Sequence, residues 1–519
     1  MVIVVGLIGF VAAVLVWSGV RLADDTTALA RVEVQPFGGT LEQVRASGPG
    51  GRRIPLAVRH GRLIPRTRLM PGERVTIDVV VRRPGWLGWA LGRKRHERLA
   101  LRAPVAGVTE RWLTVRSGAA VRVSFDRPVS AVAYGSGGHL RRRTLGGARR
   151  SLAFRHGAAA GTLQLAAAAR PWERLGTPVA VSWFPPARLP VAVTSPPPGT
   201  QLSPAAPIRL TFSKSVADVL GGARPKLSPR TPGSWRQLDS HTLVFVPSGF
   251  GARFASSLRV DLHRAVAVTD SSGGGLHPTR RIQWTVPPGS VLRLQQLLAQ
   301  AGYLPLGWTP SGAPVARTPR GEVQAAVNPP KGRFSWRYPN TPSELRALWS
   351  EGRPNQIMRG AVMMFEDTHR LDVDAIPGAR VWHALLADAI KGKRRESGYS
   401  YVYVHSSIPQ SLNLWHNGRV ILRSPGNTGV PAAPTQLGTF PVFEHIPVGT
   451  MSGTNPGGSH YDDPGIRYIS YFNGGDAIHA FNRASFGTPQ SLGCVELPLA
   501  AAAKVWPYTP IGTLVTVEN

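Results

Sequence analysis

Between Val32 and about Pro186 the apolar residues come in runs of strand length that alternate with polar ones. Examples are Val75-Thr76-Ile77-Asp78-Val79-Val80-Val81 and Ala120-Val121-Arg122-Val123-Ser124-Phe125, and Gly or Pro breaks the runs apart. Period-two alternation buries one face of a strand, and the breaks keep such runs from merging into long helices. Gly (57) and Pro (47) are frequent enough among 519 residues to punctuate the chain throughout, so short strands joined by turns are expected. At roughly 150 residues per folded unit the length calls for three or four of them. The expected fold class is mainly β and multidomain. A β-sandwich module, or two, is expected over 30–187, and a further β unit over 188–287, bounded by Pro185-Pro186 and Pro287-Pro288-Gly289. Strands of that second unit are expected around 208–212, 242–246 and 257–262.

Two segments depart from this pattern. Met1 to Val20 hold no charged side chain and match a membrane span in length, and the polar stretch Arg21 to Asp25 ends the run. An N-terminal transmembrane helix over 1–22, acting as an uncleaved anchor, is expected. The alternative is a signal peptide cleaved at Ala28-Leu29-Ala30. After Ser290 the period becomes helical, with Leu292, Leu294, Leu297, Leu298 and Ala301 on one face and Gly302 as a stop; 361–387 then reads as helix, turn and helix. A small helical domain over 289–390 is expected.

The formal net charge is +32, with 61 Lys and Arg against 29 Asp and Glu, so the partner should be anionic: a polynucleotide, acidic lipid or the bacterial cell wall. From Tyr399 to Asn519, however, five basic residues face six acidic ones. An enzyme of nucleic acid would gather its charge around its site, and this part of the chain does not, so no nucleic acid is expected as partner.

That near-neutral segment, 398–519, again reads as strands, around 411–415, 419–422, 439–443, 468–472 and 513–517. His416-Asn417-Gly418 forms a strong hairpin signal, because Asn-Gly takes positive φ at both turn positions. It also holds the chain's one cysteine, in Ser491-Leu492-Gly493-Cys494-Val495-Glu496-Leu497, fifteen residues after His479 in Ile478-His479-Ala480-Phe481. A cysteine nucleophile needs a base to form thiolate and backbone donors to hold an oxyanion. His479 can be the base, the N–H groups of Gly493 and Cys494 the donors, and Ser491 a hydrogen-bonding brace across the loop. Tyr461, Tyr468 and Tyr471 can line a substrate cleft or serve as strand packing. Asp462 and Asp463, adjacent on a strand, point to opposite faces and make neither an acid/base dyad nor a metal set. His445, His460, His479 and Cys494 offer a metal the only other use. One thiol, with no His pair at helical or hairpin spacing, makes neither metal nor cofactor expected.

Three stretches make the Cys–His reading specific: LNLWHNGRVILRSPGNTGVPAAPTQLGTFPVF, DAIHAFNRASFGTPQSLGCVELP and IGTLVTV. In that order they resemble the L,D-transpeptidase catalytic domain of the YkuD family, over about a quarter of the chain. The resemblance implies Cys494 as nucleophile, His479 as base and the Ala480 carbonyl as the third element. It also implies inhibition by carbapenems. Two positions depart from the family's usual S-H-G-C-[IV]-R: Leu492 stands for the His and Glu496 for the Arg. Glu496 then has two open roles, holding the loop through a salt bridge or hydrogen bond, or meeting a cationic group of the substrate.

Two further resemblances extend the picture. VLRLQQLLAQAGYLPL and AVMMFEDTHRLDVDAIPGARVWHALL resemble the first and last parts of the small helical peptidoglycan-binding domain, with Asp374-Ala375 in place of the usual Asp-Gly and an insertion between the parts. TSPPPGTQLSPAAPIRLTFSKSV resembles the opening of a bacterial Ig-like module. Together these imply an L,D-transpeptidase held at the cell membrane by a single span, its catalytic domain in the wall. Its partners would be peptidoglycan stem peptides, anionic wall polymers and, through the anchor, the membrane. The product would be a 3→3 cross-link. An L,D-carboxypeptidase using water as acceptor, and a non-catalytic peptidoglycan-binding scaffold, are the competing outcomes.

Overall fold

The computed structural model describes residues 19–136, 139–269 and 275–519. Residues 1–18 of the expected anchor lie outside the described residues. Its expected end is corrected: Val20–Ala23 is a strand, antiparallel to Ala30–Val34 with Val20 opposite Val34, and Val20 is buried in the first β core. Among the described residues no helix is long and apolar enough to cross a membrane. The chain forms two compact units, passing between them at 194–195, 209–210, 219–220, 264–265 and 279–280.

The first unit holds several separate β cores among the described residues. In one, strand Arg74–Arg82 alternates as its sequence requires, burying Val75, Ile77, Val79 and Val81, and these pack with Leu29, Ile54, Leu63 and Trp172. Another is built on a five-stranded sheet whose longest members, Val121–Ser136 and His139–Phe154, are antiparallel, over a core of Val123, Phe125, Leu165 and Trp183. Arg141, Arg142 and Arg143 are exposed on that hairpin. The expected further β unit has strands at Ile208–Phe212, Thr242–Pro247 and Ser256–Thr269, and most of its residues, 195–209, 220–264 and 280–287, belong to the second unit.

In the second unit the helical segment contains α1 (Val291–Gln300), α2 (Pro319–Val327), α3 (Ser343–Ala347), α4 (Gln356–Thr368) and α5 (Ala379–Lys391). The stretch expected as an insertion is ordered: strands Leu306–Pro310 and Gly332–Trp336 pair antiparallel, with α2 between them. Thr318 caps α2 and Asn355 caps α4, each side-chain oxygen accepting a first-turn backbone N–H. Ala375, where the resemblance places Gly, sits at φ +62°, a conformation that costs a residue with a Cβ about 1–2 kcal/mol. The buried Glu366 carboxylate accepts the Ala375 N–H at 3.0 Å and holds the turn in place.

The last 120 or so residues form two sheets. One runs β3–β2–β1–β9–β4, with β1 Ser400–His405, β2 Ser411–His416, β3 Arg419–Pro425, β4 Gly438–Pro441 and β9 Leu514–Glu518. The other runs β5–β6–β7–β8, with β5 Glu444–Thr454, β6 His460–Asn473, β7 Asp476–Ala480 and β8 Val495–Leu497. Val402, Leu414, Phe472, Ile478, Val495 and Val515 fill the space between them, and α6 (Leu499–Val505) adds Ala501, Ala502 and Val505. The β2–β3 turn has Asn417 and Gly418 at φ +48° and +91°, as the Asn-Gly signal requires.

The segments expected as separate domains, 289–390 and 398–519, share one core. Leu298, Phe365 and Trp382 of the helices are clustered with Tyr399, Tyr401, Trp415 and Leu514 of the β-structure. The closest approach is backbone on backbone: a Cβ on Gly512, itself at φ +87°, would lie 2.3 Å from the Gly360 carbonyl of α4. Left-handed strain and overpacking add at that position, so Gly512→Ala is expected to destabilise the protein by about 3 kcal/mol. Denaturant unfolding of the full chain measures it; a loss below about 0.5 kcal/mol would mean the helix and loop are not held together.

Candidate active site

Parallel pairing of β7 with β8 sets His479 opposite Glu496 and Ile478 opposite Val495. Side chains two apart along a strand share a face, so Cys494, Glu496 and His479 come to the same side of this sheet edge. They line a cleft of about 760 Å³ together with Tyr461, Tyr471 and Leu492. Fifteen residues of sequence separation are thus closed by three rungs of a ladder.

The loop before Cys494 is fixed from several directions. Ser491 donates its hydroxyl to the Cys494 carbonyl at 2.5 Å, and Val430 N–H donates to the Ser491 carbonyl at 2.9 Å. Gly493 is at φ +115°, and a Cβ there would sit 2.3 Å from Asp476 Oδ1, so only glycine fits between Cys494 and that carboxylate. Among the described residues no acceptor meets the N–H of Gly493 or Cys494, which leaves both able to face an oxyanion.

His479 is buried, with Nδ1 3.0 Å from its neighbour's carbonyl, Ala480 O. A carbonyl only accepts, so Nδ1 carries the proton and Nε2 is the basic nitrogen. Burial lowers the imidazole pKa below its ordinary 6.5, against smaller raising contributions from the Ala480 carbonyl and the Glu496 carboxylate, so the ring is a neutral base at pH 7. The Cys494 sulfur packs beside Ile466, Ile469 and Ala477, and this burial pushes the thiol up to about 12. The carboxylates of Asp476 and Glu496 push the same way, and the Ala477 amide opposes them. At rest the S–H points at the Gly475 carbonyl, 3.5 Å away. The site therefore rests as thiol and neutral imidazole.

Glu496, buried, accepts two hydrogen bonds from the Arg483 guanidinium, at 2.8 and 2.7 Å. Arg483 also donates to Gln490 O at 3.1 Å and lies over the Phe481 ring. Of the two roles open to Glu496, the structure places it in the loop-holding one, with both oxygens engaged by Arg483. Behind the loop, buried Asn427 accepts from Gly487 N–H at 2.9 Å, and Gln410 exchanges hydrogen bonds of 2.7 Å with Thr428.

Tyr461 lines the cleft as expected; Tyr468 does not, packing instead on the core between the sheets and beside Trp506. Its place in the cleft wall is taken by Tyr471. Among the described residues no group of His, Cys, Asp and Glu could hold a metal ion. Arg483, Asn427, Gln410 and Asp476 were not singled out by their sequence positions. For Arg483 a signal existed: an acid at 496 where the resembling family has a base needs a cation from elsewhere, and this domain has only five basic residues.

Residues 399–517 match the YkuD family, the L,D-transpeptidase catalytic domain. No curated protein matches the chain. Among solved structures, an L,D-transpeptidase from Mycobacterium smegmatis aligns at 12% identity over 64% of this chain and 100% of its own, with a TM-score of 0.21. One from Mycobacterium tuberculosis H37Rv aligns at 13% over 63% and 98%, with a TM-score of 0.20. The catalytic domain of the E. faecium L,D-transpeptidase aligns at 24% over 24% and 100%, with a TM-score of 0.22. Scores of this size bear on neither fold nor function.

Removing the guanidinium from a buried carboxylate leaves an uncompensated charge, so Arg483→Met is expected to cost about 3 kcal/mol. Adding Glu496→Gln should restore most of it. Urea unfolding of the two single variants and the double variant tests this: additive losses would mean the pair does not brace the loop.

Proposed function

We propose that this protein is a cysteine-dependent L,D-transpeptidase of the cell wall. The observation that carries the reading is the convergence, in one cleft, of Cys494 with a neutral His479 whose Nδ1 is tied to the Ala480 carbonyl. The YkuD match over 399–517 supports the same chemistry.

The reaction runs in two halves. The thiol leaves the Gly475 carbonyl and gives its proton to His479 Nε2 while sulfur attacks the carbonyl carbon of the diamino acid at the third position of a stem peptide. The N–H groups of Gly493 and Cys494 receive the oxyanion. When the C–N bond to the terminal D-Ala breaks, the proton on Nε2 passes to the departing amine and a thioester remains. An amine from a neighbouring stem then attacks the thioester, losing its proton to His479, and expulsion of the sulfur completes a 3→3 cross-link. The proton on His479 returns to the sulfur. Each half moves one proton to and from the same nitrogen, so no cofactor enters. Water in place of the amine would give a carboxypeptidase.

The substrate sets the compartment: the same reading puts the cleft in the wall, outside the membrane. The uncharged run at residues 1–18 is the segment that would hold it there, and the basic excess outside the catalytic domain suits an anionic wall. The helical segment, by its resemblance, would add contact with peptidoglycan.

Incubation of the full chain with a carbapenem is expected to add one drug mass, seen by intact-mass spectrometry. Cys494→Ala should abolish the adduct, and His479→Ala should slow it by about 100-fold or more. No adduct on the folded wild-type protein would refute the reading. The acylation rate should rise with pH through a single limb centred below 6.5, as His479 loses its proton, and then level off. Because the free thiol lies near 12, His479→Ala should instead show a rate still climbing above pH 9. Stopped-flow acylation across pH 5–10 distinguishes the two; identical profiles would remove His479 as base.

A further inference from the structure

We propose that Asp463 is the ammonium-recognising residue of this cleft, binding the side-chain amine of a diamino acid in a stem peptide. The proposal rests on the L,D-transpeptidase reading for the identity of the ligand, and on the following geometry for the residue. Three carboxylates line the cleft: Asp463, Asp476 and Glu496. Two are spoken for. Glu496 is held at both oxygens by Arg483. Asp476 accepts at Oδ2 from the Gln436 N–H and the Asn473 side chain, each at 3.3 Å, and its Oδ1 is packed against Gly493.

Asp463 differs from both. It is half-buried on β6, opposite Met451 of β5; among the described residues no direct hydrogen bond or ion pair reaches its carboxylate, which feels Arg483 and His479 only through space. Alternation along β6 puts Asp463 on the same face as Tyr461, inside the cleft, and turns Asp462 to the exposed side. Asp463 also borders a second groove of about 730 Å³, walled by Phe481, Phe486, Pro498 and Leu499 and lined by Arg467 as well, and Ile466 and Phe481 are common to both. An unpaired carboxylate thus stands where a catalytic cleft opens into a groove of largely apolar character.

A half-buried carboxylate with no direct hydrogen-bonded cation can take one from a ligand, and a charge-assisted hydrogen bond to a primary ammonium is of that kind. In the proposed reaction the ammonium has two sources: the side chain of the donor's third residue, or the amine of the acceptor before it attacks. Both are primary amines on a flexible aliphatic stem, whose methylenes suit the apolar groove.

The test uses full-length Cys494→Ala, which cannot turn over, titrated calorimetrically with a stem tetrapeptide carrying a free side-chain amine and with its Nε-acetyl counterpart. The free-amine peptide is expected to bind about 10- to 100-fold more tightly. The preference should vanish in Cys494→Ala/Asp463→Asn and return in part with Asp463→Glu. Equal affinity for the two peptides, or a preference that survives Asp463→Asn, overturns the proposal. Repeating the titration on wild-type protein already acylated at Cys494 by a carbapenem separates the sources: a preference that persists assigns Asp463 to the acceptor amine, and one that is lost assigns it to the donor. A drug adduct without amine preference would sink Asp463 alone; a preference without an adduct would sink the transpeptidase reading alone.

Discussion

The chemistry of this chain depends on three rungs of parallel pairing between Asp476–Ala480 and Val495–Leu497. Parallel strands require a crossover, and here it is the loop 481–494, which carries both Arg483 and Cys494. The ladder fixes Glu496 across from His479; Glu496 fixes Arg483; Arg483 ties down the Gln490 carbonyl and with it the approach to Ser491 and Gly493. A slip of one residue in that register would turn Cys494 to the opposite face of the sheet and break each of these bonds together. A short ladder with a buried ion pair across it is therefore what aligns sulfur and imidazole.

The chemical groups were legible in the sequence, and their supports were not. Cys494 stands out as the one thiol, while His479 is picked out from the other histidines of this segment only by the resemblance of the stretches around it. The hairpin at Asn417-Gly418 and the helix from Val291 to Gln300 follow from local turn chemistry and period. The long β5–β6 hairpin, which forms one wall of the cleft, was seen only near 468–472. The rest of it lacks clean alternation: Gly449, Gly453 and Gly457 thin its side chains, Pro447 and Pro464 interrupt it, and the register shifts between Gly449 and Met451. Tyr468 was misplaced for the same reason, because at φ +62° its backbone departs from the regular pleat on which face assignment relies.

The ionisable groups around the cleft divide by how they are satisfied. Charges that hold the loop are paired and buried, as Glu496 is. The groups proposed to react are kept neutral by the same burial: the thiol is driven up by its apolar neighbours and the imidazole down. A preformed thiolate–imidazolium pair would need a more polar setting than Ile466, Ile469 and Ala477 provide. Leu492, where the resembling family has histidine, adds to this apolar character at the cleft wall. On the proposed function, such a cleft would favour a nucleophile made at the moment of attack, when substrate has displaced water.

The contact of Gly360 with Gly512 bears on how such a chain can be assembled over evolutionary time. Linked domains with private cores can be exchanged by recombination at their boundary, each bringing its own stability. Here the boundary near residue 395 is not a seam: Trp382 and Phe365 lie on one side of it and Trp415 and Leu514 on the other, in a single cluster. A catalytic segment transplanted onto a different helical partner would expose Tyr401 and Trp415 and lose the surface that its Gly512 loop was shaped to meet. Inheritance should therefore act on the helical segment and the β-structure after it together, and Phe254 of the preceding β unit, which packs on Trp382 in the same cluster, extends that block further back.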